Sequence, residues 1–281
     1  MRHIVKYFFK KPIFNKPAET IAHPAVPSLR GTVGCVLIYI LACVCLAWLI
    51  FTFLYQYIAA IGYFKEVLHA LVSERILSAF WLSISSAIIT VIVSLPLGIA
   101  AAYIFATKEF RGKHIIETLS VDVPQTFPPV TEGMIYLLML GPDSPFHIDL
   151  AYTFTALVIA KVYVCMPFII YATKRKFQEI HETGMNMTAM ALGAHPFQIF
   201  TMIFLPLAAR DIIASSALCW ARAMGELGGS LIFAGVIPYK TEIIPNFIAM
   251  QASTLTVGAL AATILATTTS ALALLFCKRL T

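Results

Sequence analysis

The chain has 281 residues, of which 59% are hydrophobic and only 12% are charged, and its mean hydropathy is +0.84. This composition excludes an ordinary soluble domain, in which about a quarter of the residues are charged. The formal net charge of +6 does not indicate a nucleic-acid partner, because the basic residues stand at the ends of apolar stretches and form no separate polar domain.

The N-terminal residues 1–30 differ from the rest and are predicted to form a cytoplasmic tail, with residues 31–281 as a transmembrane domain. The tail combines basic residues with four prolines and an apolar cluster between Ile4 and Phe9. Two interpretations stay open for it: a short amphipathic piece lying on the inner leaflet, or a disordered leader.

Beyond the tail, six apolar stretches are long enough to cross a hydrocarbon core, which takes about 20 helical residues. They are Gly34–Ala60, Leu77–Thr107, Ile115–Gly141, Ala151–Thr173, Leu205–Ala234 and Ser253–Phe276. Their apolar runs lack the alternation of barrel strands, so helices are expected. The predicted fold is an all-α polytopic membrane protein with about six transmembrane helices.

Lysine and arginine are unevenly distributed across these spans. With a cytoplasmic N-terminus, fourteen of them face the cytoplasm and only three, Lys65, Arg75 and Lys240, face the other side. Because cytoplasmic loops carry the excess of basic residues, this asymmetry predicts an even number of spans in the cell membrane and two cytoplasmic termini.

The connection from Lys174 to about Phe204 is long and polar, and loops of this kind usually carry function. Within it, Glu182–Leu192 is predicted to be a short helix that ends at Gly193 in a left-handed conformation. A second short helix is expected to begin at Pro196, because proline suits a first turn. The pair would form a helix–turn–helix against the membrane, shaped to dock a partner.

The run from Met187 to Gly193, followed by Leu205-Pro206, resembles the cytoplasmic coupling loop of ABC-importer permeases. Met187 stands where that motif has a glutamate, and Thr188 replaces its first alanine. The resemblance implies contact with an ATPase subunit. The candidate coupling residues are Met187, Thr188, Ala189, Met190, Gly193, Leu205 and Pro206.

Two further runs resemble the molybdate, tungstate and sulfate permeases of this superfamily: Trp220–Gly229, and Asp122–Val130 with Gly133. The resemblance implies a type I ABC-importer permease that forms a homodimer with two ATP-binding cassette subunits and an external solute-binding protein. Its substrate would be a tetrahedral oxyanion, molybdate or tungstate, with sulfate as the alternative. Selectivity among these oxyanions is expected to reside in the binding protein.

The chain has no P-loop pattern of Gly, four residues, Gly-Lys-Ser/Thr. ATP and Mg²⁺ are therefore expected on the partner ATPase, and the chain itself is expected to be neither an enzyme nor a cofactor protein. The six cysteines lack metal-ligand spacing, so no metal site is predicted. A secondary transporter or channel is the rival hypothesis, but the paired broken helices of inverted repeats are not evident.

Five ionisable residues fall inside the predicted spans, where such groups suggest a pathway or an internal pair: Asp122, Glu132, Lys161, Arg222 and Glu226. Arg222 and Glu226 are four apart and are predicted to share a helix face, either neutralising each other or lining a cavity for the anion. For Asp122, a helix cap or an end-of-span position is favoured over the pathway. Lys161 either lines the pathway or pairs with a carboxylate.

Three prolines, Pro124, Pro128 and Pro129, interrupt the third predicted span. Proline removes a backbone donor, which is tolerable at membrane depth only beside protein or a watery cavity. The prolines therefore mark either a gate or pathway wall, or a kink that improves packing.

Overall fold

A computed structural model describes residues 29–254 and 256–280, and every regular element within them is helical. The helices are α1 Leu29–Ile61, α2 Phe64–Leu71, α3 Glu74–Thr107, α4 Lys113–Glu117, α5 Val123–Thr126, α6 Pro129–Leu140, α7 Phe154–Glu182, α8 Met185–Ala191, α9 Pro196–Ile199, α10 Leu205–Met224, α11 Ile244–Gln251 and α12 Val257–Leu280. Single π-helical turns occupy Thr118–Asp122, Phe200–Phe204 and Ser230–Ala234, and a 3₁₀ turn occupies Ala252–Thr254.

The chain forms two units, Met1–Tyr55 and Gln56–Thr281. In the first unit, every side chain from Gly34 to Tyr55 is exposed, and the segment is strongly apolar. Helix α1 begins at Leu29, so the last two residues of the predicted 1–30 tail are helical. The rest of that tail lies outside the described residues.

Among the described residues, five helical segments are long and apolar enough to cross a membrane: Gly34–Ile61, Glu74–Thr107, Phe154–Glu182, Pro196–Met224 and Val257–Leu275. The prediction of about six spans includes one that is not a continuous helix in the structure. The missing one is Ile115–Gly141, which the structure divides into α4, a π-helical turn, α5 and the 12-residue α6.

The division falls at Phe127 and Pro128, whose ψ angles of 137° and 122° are those of extended chain. Each of these two residues precedes a proline, and the proline ring disfavours helical geometry in the residue before it. Pro128 and Pro129 also lack the N–H groups that would continue the ladder. Consecutive prolines therefore end α5 and restart the chain as α6.

Three other boundaries differ from prediction. Helix α7 does not stop near Thr173 but continues to Glu182, so the polar residues of this stretch are helical. The span predicted to reach Ala234 ends at Met224. Helix α11 was not predicted at all.

The core of the second unit is built by α3, α7 and α10, which bury one cluster containing Ala87, Cys165, Ile169 and Cys219. The buried face of α3 is made mostly of small residues, including Ser94, Gly98 and Ala102. A Cβ atom added to Gly98 would lie 2.9 Å from Ile169 Cγ2. Small side chains at four-residue spacing thus let α3 and α7 approach closely, as is usual between membrane helices.

One end of this core is closed by four aromatic rings: Tyr103, Phe177, Phe200 and Phe204. The Phe204 ring lies edge-on to Tyr103 and Phe177, with centroids 5.2 and 5.3 Å apart. Edge-to-face pairs at this separation add to the stabilisation from burial. This aromatic cluster fastens the π-helical turn Phe200–Phe204 to α3 and α7.

Near the start of α3, the segment before α11 is held by a partly buried ion pair. Arg75 donates two hydrogen bonds, of 2.8 and 2.6 Å, to Glu242, which is fully buried. The backbone N–H of Ile244 also donates to Ser83 Oγ at 2.8 Å. These polar contacts explain how the segment before α11, with its charged Glu242, packs into the core.

Candidate functional site

The predicted coupling loop forms a compact helical element between α7 and α10. Helix α8 begins after Gly184, which is left-handed at φ +75°, so the helix starts at Met185 and not at the predicted Glu182. It ends at Ala191, and the φ of +87° at Gly193, directly after the cap residue Leu192, confirms the predicted left-handed residue. Gly193 N–H donates to Met190 O at 2.9 Å and Ala194 N–H to Ala189 O at 3.0 Å, a Schellman motif.

The next helix, α9, begins at Pro196 as predicted and is capped by a residue that the sequence did not reveal. His195 Nδ1 accepts from Phe197 N–H at 3.3 Å, and Gln198 Oε1 accepts from His195 N–H at 2.9 Å. This reciprocal capping box satisfies backbone donors at the helix start. Both ends of the turn between α8 and α9 are therefore fixed by backbone hydrogen bonds.

This element exposes an apolar surface, which we call the docking face: Met187, Met190, Leu192 and Phe197. Their exposed fractions are 65%, 53%, 85% and 67%. Leu192 was not among the predicted coupling residues, although it directly precedes the terminating glycine. Because exposed apolar patches often belong to interaction sites, this surface is the candidate site for contact with a partner.

The remaining coupling candidates are not part of the docking face. Ala189 packs inward against the cluster that contains Phe177 and Phe204, so its small size serves internal packing. Thr188 Oγ1 donates to Gly184 O at 3.2 Å and is exposed. Leu205 and Pro206 form the first turn of α10, directly after the π-helical turn.

The buried charges lie elsewhere, where α10 ends. Arg222 Nη1 is 3.3 Å from Glu226 Oε2, so the two residues do pair. They do not share a helix face, however, because α10 ends at Met224 and Glu226 lies in the following turn. The other oxygen of Glu226 accepts from Gly229 N–H at 2.9 Å. The carboxylate thus holds both the helix end and the glycine turn.

Lys161 lies on α7 and is fully buried. Its Nζ donates to Ser86 Oγ on α3 at 2.7 Å, and it interacts electrostatically with Glu226 without a direct ion pair among the described residues. The two interpretations from the sequence were that Lys161 lines the pathway or pairs with a carboxylate. Neither describes this arrangement completely, because the direct partner of Lys161 is a hydroxyl group. The hydroxyl of Ser86 donates in turn to Leu82 O at 2.6 Å.

Helix α6 packs against the glycine turn that follows Glu226. A Cβ atom on Gly133 would lie 2.8 Å from Gly229 O, and one on Gly228 would lie 2.7 Å from Pro129 Cβ. A Cβ atom on Gly229 would lie 3.4 Å from the Glu132 carboxyl group. The glycines therefore bring Glu132 next to the turn that Glu226 holds.

Two of the predicted pathway residues lie apart from these charges. Asp122 is exposed at the end of a π-helical turn, and its side chain makes no capping hydrogen bond within the described residues. Pro124 is buried in the first turn of α5. Pro128 and Pro129 form the break itself, immediately before Glu132.

A cavity of about 210 Å³ opens beside Glu132. Its lining is mostly aromatic and apolar: Phe127, Glu132, Ile135, Tyr136, Met139 and Tyr163. The rings of Tyr136 and Tyr163 meet nearly at right angles, with centroids 6.0 Å apart.

The long apolar helices, the interrupted span and the buried charges define a polytopic α-helical membrane protein with a short helical element between α7 and α10. Residues 94–281 match the family of binding-protein-dependent transport system inner membrane components. The chain belongs to this family. The permease resemblance inferred from the runs around Gly193 and Arg222 is thereby confirmed.

Named relatives refine the comparison. The molybdenum transport system permease protein ModB of Haemophilus influenzae is 30% identical over 177 residues, which cover 60% of this chain and 76% of the relative. The sulfate transport system permease protein CysW of Synechocystis sp. is 27% identical over 230 residues, 76% of this chain and 81% of the relative.

A solved structure with a similar fold is the bacterial alginate ABC transporter in complex with an alginate pentasaccharide-bound periplasmic protein. Its matching chain superposes with a TM-score of 0.63 at 16% identity, covering 86% of this chain and 92% of that one. At this identity the likeness shows the fold alone.

Proposed function

We propose that this chain is the permease subunit of an ATP-driven importer for a tetrahedral oxyanion, with molybdate as the first candidate substrate. The similarity to molybdenum permeases carries this proposal. Tungstate has the same charge and geometry and is the natural second substrate. Sulfate is the alternative, supported by the similarity to a sulfate permease.

The proposed assembly is a homodimer of this chain with two ATP-binding cassette subunits and an external solute-binding protein. The docking face would enter a cleft of the ATPase subunit. The Schellman motif and the capping box fix the element internally, and the aromatic cluster fastens it to α3 and α7. Movement of the ATPase would therefore shift the element as a rigid body and displace α3 and α7 with it. ATP and Mg²⁺ would be bound by the ATPase alone.

We expect the reconstituted complex to import radiolabelled molybdate only when ATP is enclosed with the ATPase and the binding protein is supplied outside. Tungstate should compete with molybdate, and sulfate should compete much less. Uptake that continues without ATP would support the secondary-transporter alternative. Import of sulfate in preference to molybdate would assign the chain to the sulfate permeases.

The proposed orientation places both termini and the docking face in the cytoplasm. Single cysteines at Asp143 and Glu182 in a cysteine-free background should be labelled from opposite sides by an impermeant maleimide. Both positions are exposed, whereas the neighbouring Ser144 is buried and would react poorly. Labelling of both cysteines from outside intact cells would contradict the orientation.

A further inference from the structure

Glu132 is the buried charge that the proposed function leaves unexplained. Only 3% of the residue is exposed, and neither carboxyl oxygen has a hydrogen-bond partner among the described residues. By contrast, Glu226 has both Arg222 and the Gly229 N–H as partners. An isolated buried carboxylate is costly, and the group avoids that cost by taking up a proton.

The surroundings of Glu132 favour a proton over a metal cation as its ligand. The cavity beside it offers one carboxyl group and two phenol hydroxyls in an otherwise apolar lining. Hard metal cations in proteins take about six or more oxygen ligands, whereas a proton needs one oxygen.

Glu132 also belongs electrostatically to a cluster of four charged side chains. It interacts with Glu226 and Arg222, and Lys161 interacts with Glu226. The titratable groups that interact with it from its own helix, from α7, from α10 and from the glycine turn are Tyr136, Tyr163, Arg222 and Glu226. With Lys161 and Arg222 both protonated and both carboxyl groups ionised, the two anions and two cations of the cluster balance, and a proton on Glu132 then leaves one positive charge uncompensated.

We propose that Glu132 is a proton-binding site of the permease, and that the neutral carboxylic acid gives the buried cluster the net positive charge that admits the anion. The second half of this statement rests on the proposed oxyanion import. Ionised Glu132 would add a negative charge beside the route and repel a dianion. Protonated Glu132 removes that charge and can also donate a hydrogen bond.

The first test needs no transport. The infrared spectrum of the purified permease–ATPase complex should contain the carbonyl band of a protonated carboxylic acid that disappears in Glu132→Gln and fades as the pH is raised. Glu66→Gln, at an exposed carboxylate on α2, should leave the band unchanged. A band that persists in Glu132→Gln and disappears in Glu226→Gln places the proton on Glu226 and overturns the proposal, as does the absence of any pH-sensitive band in the wild type.

The second test measures uptake against pH in the same proteoliposomes. Above the pH at which Glu132 loses its proton, the protonated fraction falls about tenfold per pH unit, and wild-type uptake should fall with it. The amide of Glu132→Gln stays neutral, so the ratio of variant to wild-type uptake should rise by up to the same factor. A constant ratio overturns the role in transport. Failure of the wild type to import any oxyanion refutes the proposed function instead, and the infrared band still decides whether Glu132 binds a proton.

Discussion

Replacing Arg222 with Met is expected to destabilise the permease by about 3 kcal/mol, because it leaves the buried Glu226 carboxylate without its cation. This is the low end of the range for breaking a buried pair, since about a third of the Arg222 side chain is exposed while Glu226 is 1% exposed. The thermal unfolding midpoint in detergent should fall accordingly. Arg210→Met, at an exposed arginine on the same helix, is the matched control and should leave the midpoint unchanged.

The double variant Arg222→Met with Glu226→Gln separates stability from transport. Removing both charges avoids the unpaired carboxylate, so the midpoint should return close to the wild-type value. If this stable variant no longer imports the anion, the charges act in the pathway as well. If Arg222→Met alone is as stable as the wild type, the ion pair does not hold the end of α10.

Replacing Met190 with Lys is expected to release the ATPase subunit. Fully burying a methionine side chain contributes about 1.5–3 kcal/mol, and Met190 is 53% exposed, so the loss of its burial alone should weaken the association about 4- to 12-fold. Co-purification of the ATPase with the permease measures this loss directly. Met185→Lys is the matched control, because Met185 lies on the same short helix outside the docking face.

Position 187 carries no acidic residue, so we expect the association with the ATPase to depend little on salt concentration. Met187 is exposed and apolar, so the contact should depend on burial and not on an ion pair. High salt, which screens exposed charges, should then reduce co-purification little. Met190→Lys that keeps its ATPase and full uptake would show that this face is not the coupling site.

Hydropathy predicted most of the spans, since long apolar runs such as Leu77–Thr107 admit few other structures in lipid. It could not locate the break at Phe127 because averaging over a window is insensitive to two prolines that alter only local backbone geometry. It also placed the end of α10 too late, because the apolar residues Leu231 to Ala234 follow within the same window although α10 has ended at Met224.

The docking element was predictable because its signals are local. A glycine after a helical run and a proline at a helix start determine nearby backbone geometry, and both predictions were confirmed at Gly193 and Pro196. The buried polar contacts were not predictable in this way. Lys161 meets Ser86, and Arg75 meets Glu242, across distances in sequence that only the packing of different helices brings together.

The shortness of α6 bears on how the protein reaches its membrane. Its 12 residues extend about 18 Å, well short of a hydrocarbon core of about 30 Å. The prolines before it and the buried carboxyl group within it make it a poor segment for independent insertion. Helix α6 packs against the glycine turn near Gly228. The ribosome synthesises that turn about 90 residues after α6. We therefore expect α6 to reach its final position only after the C-terminal helices that enclose it have been synthesised.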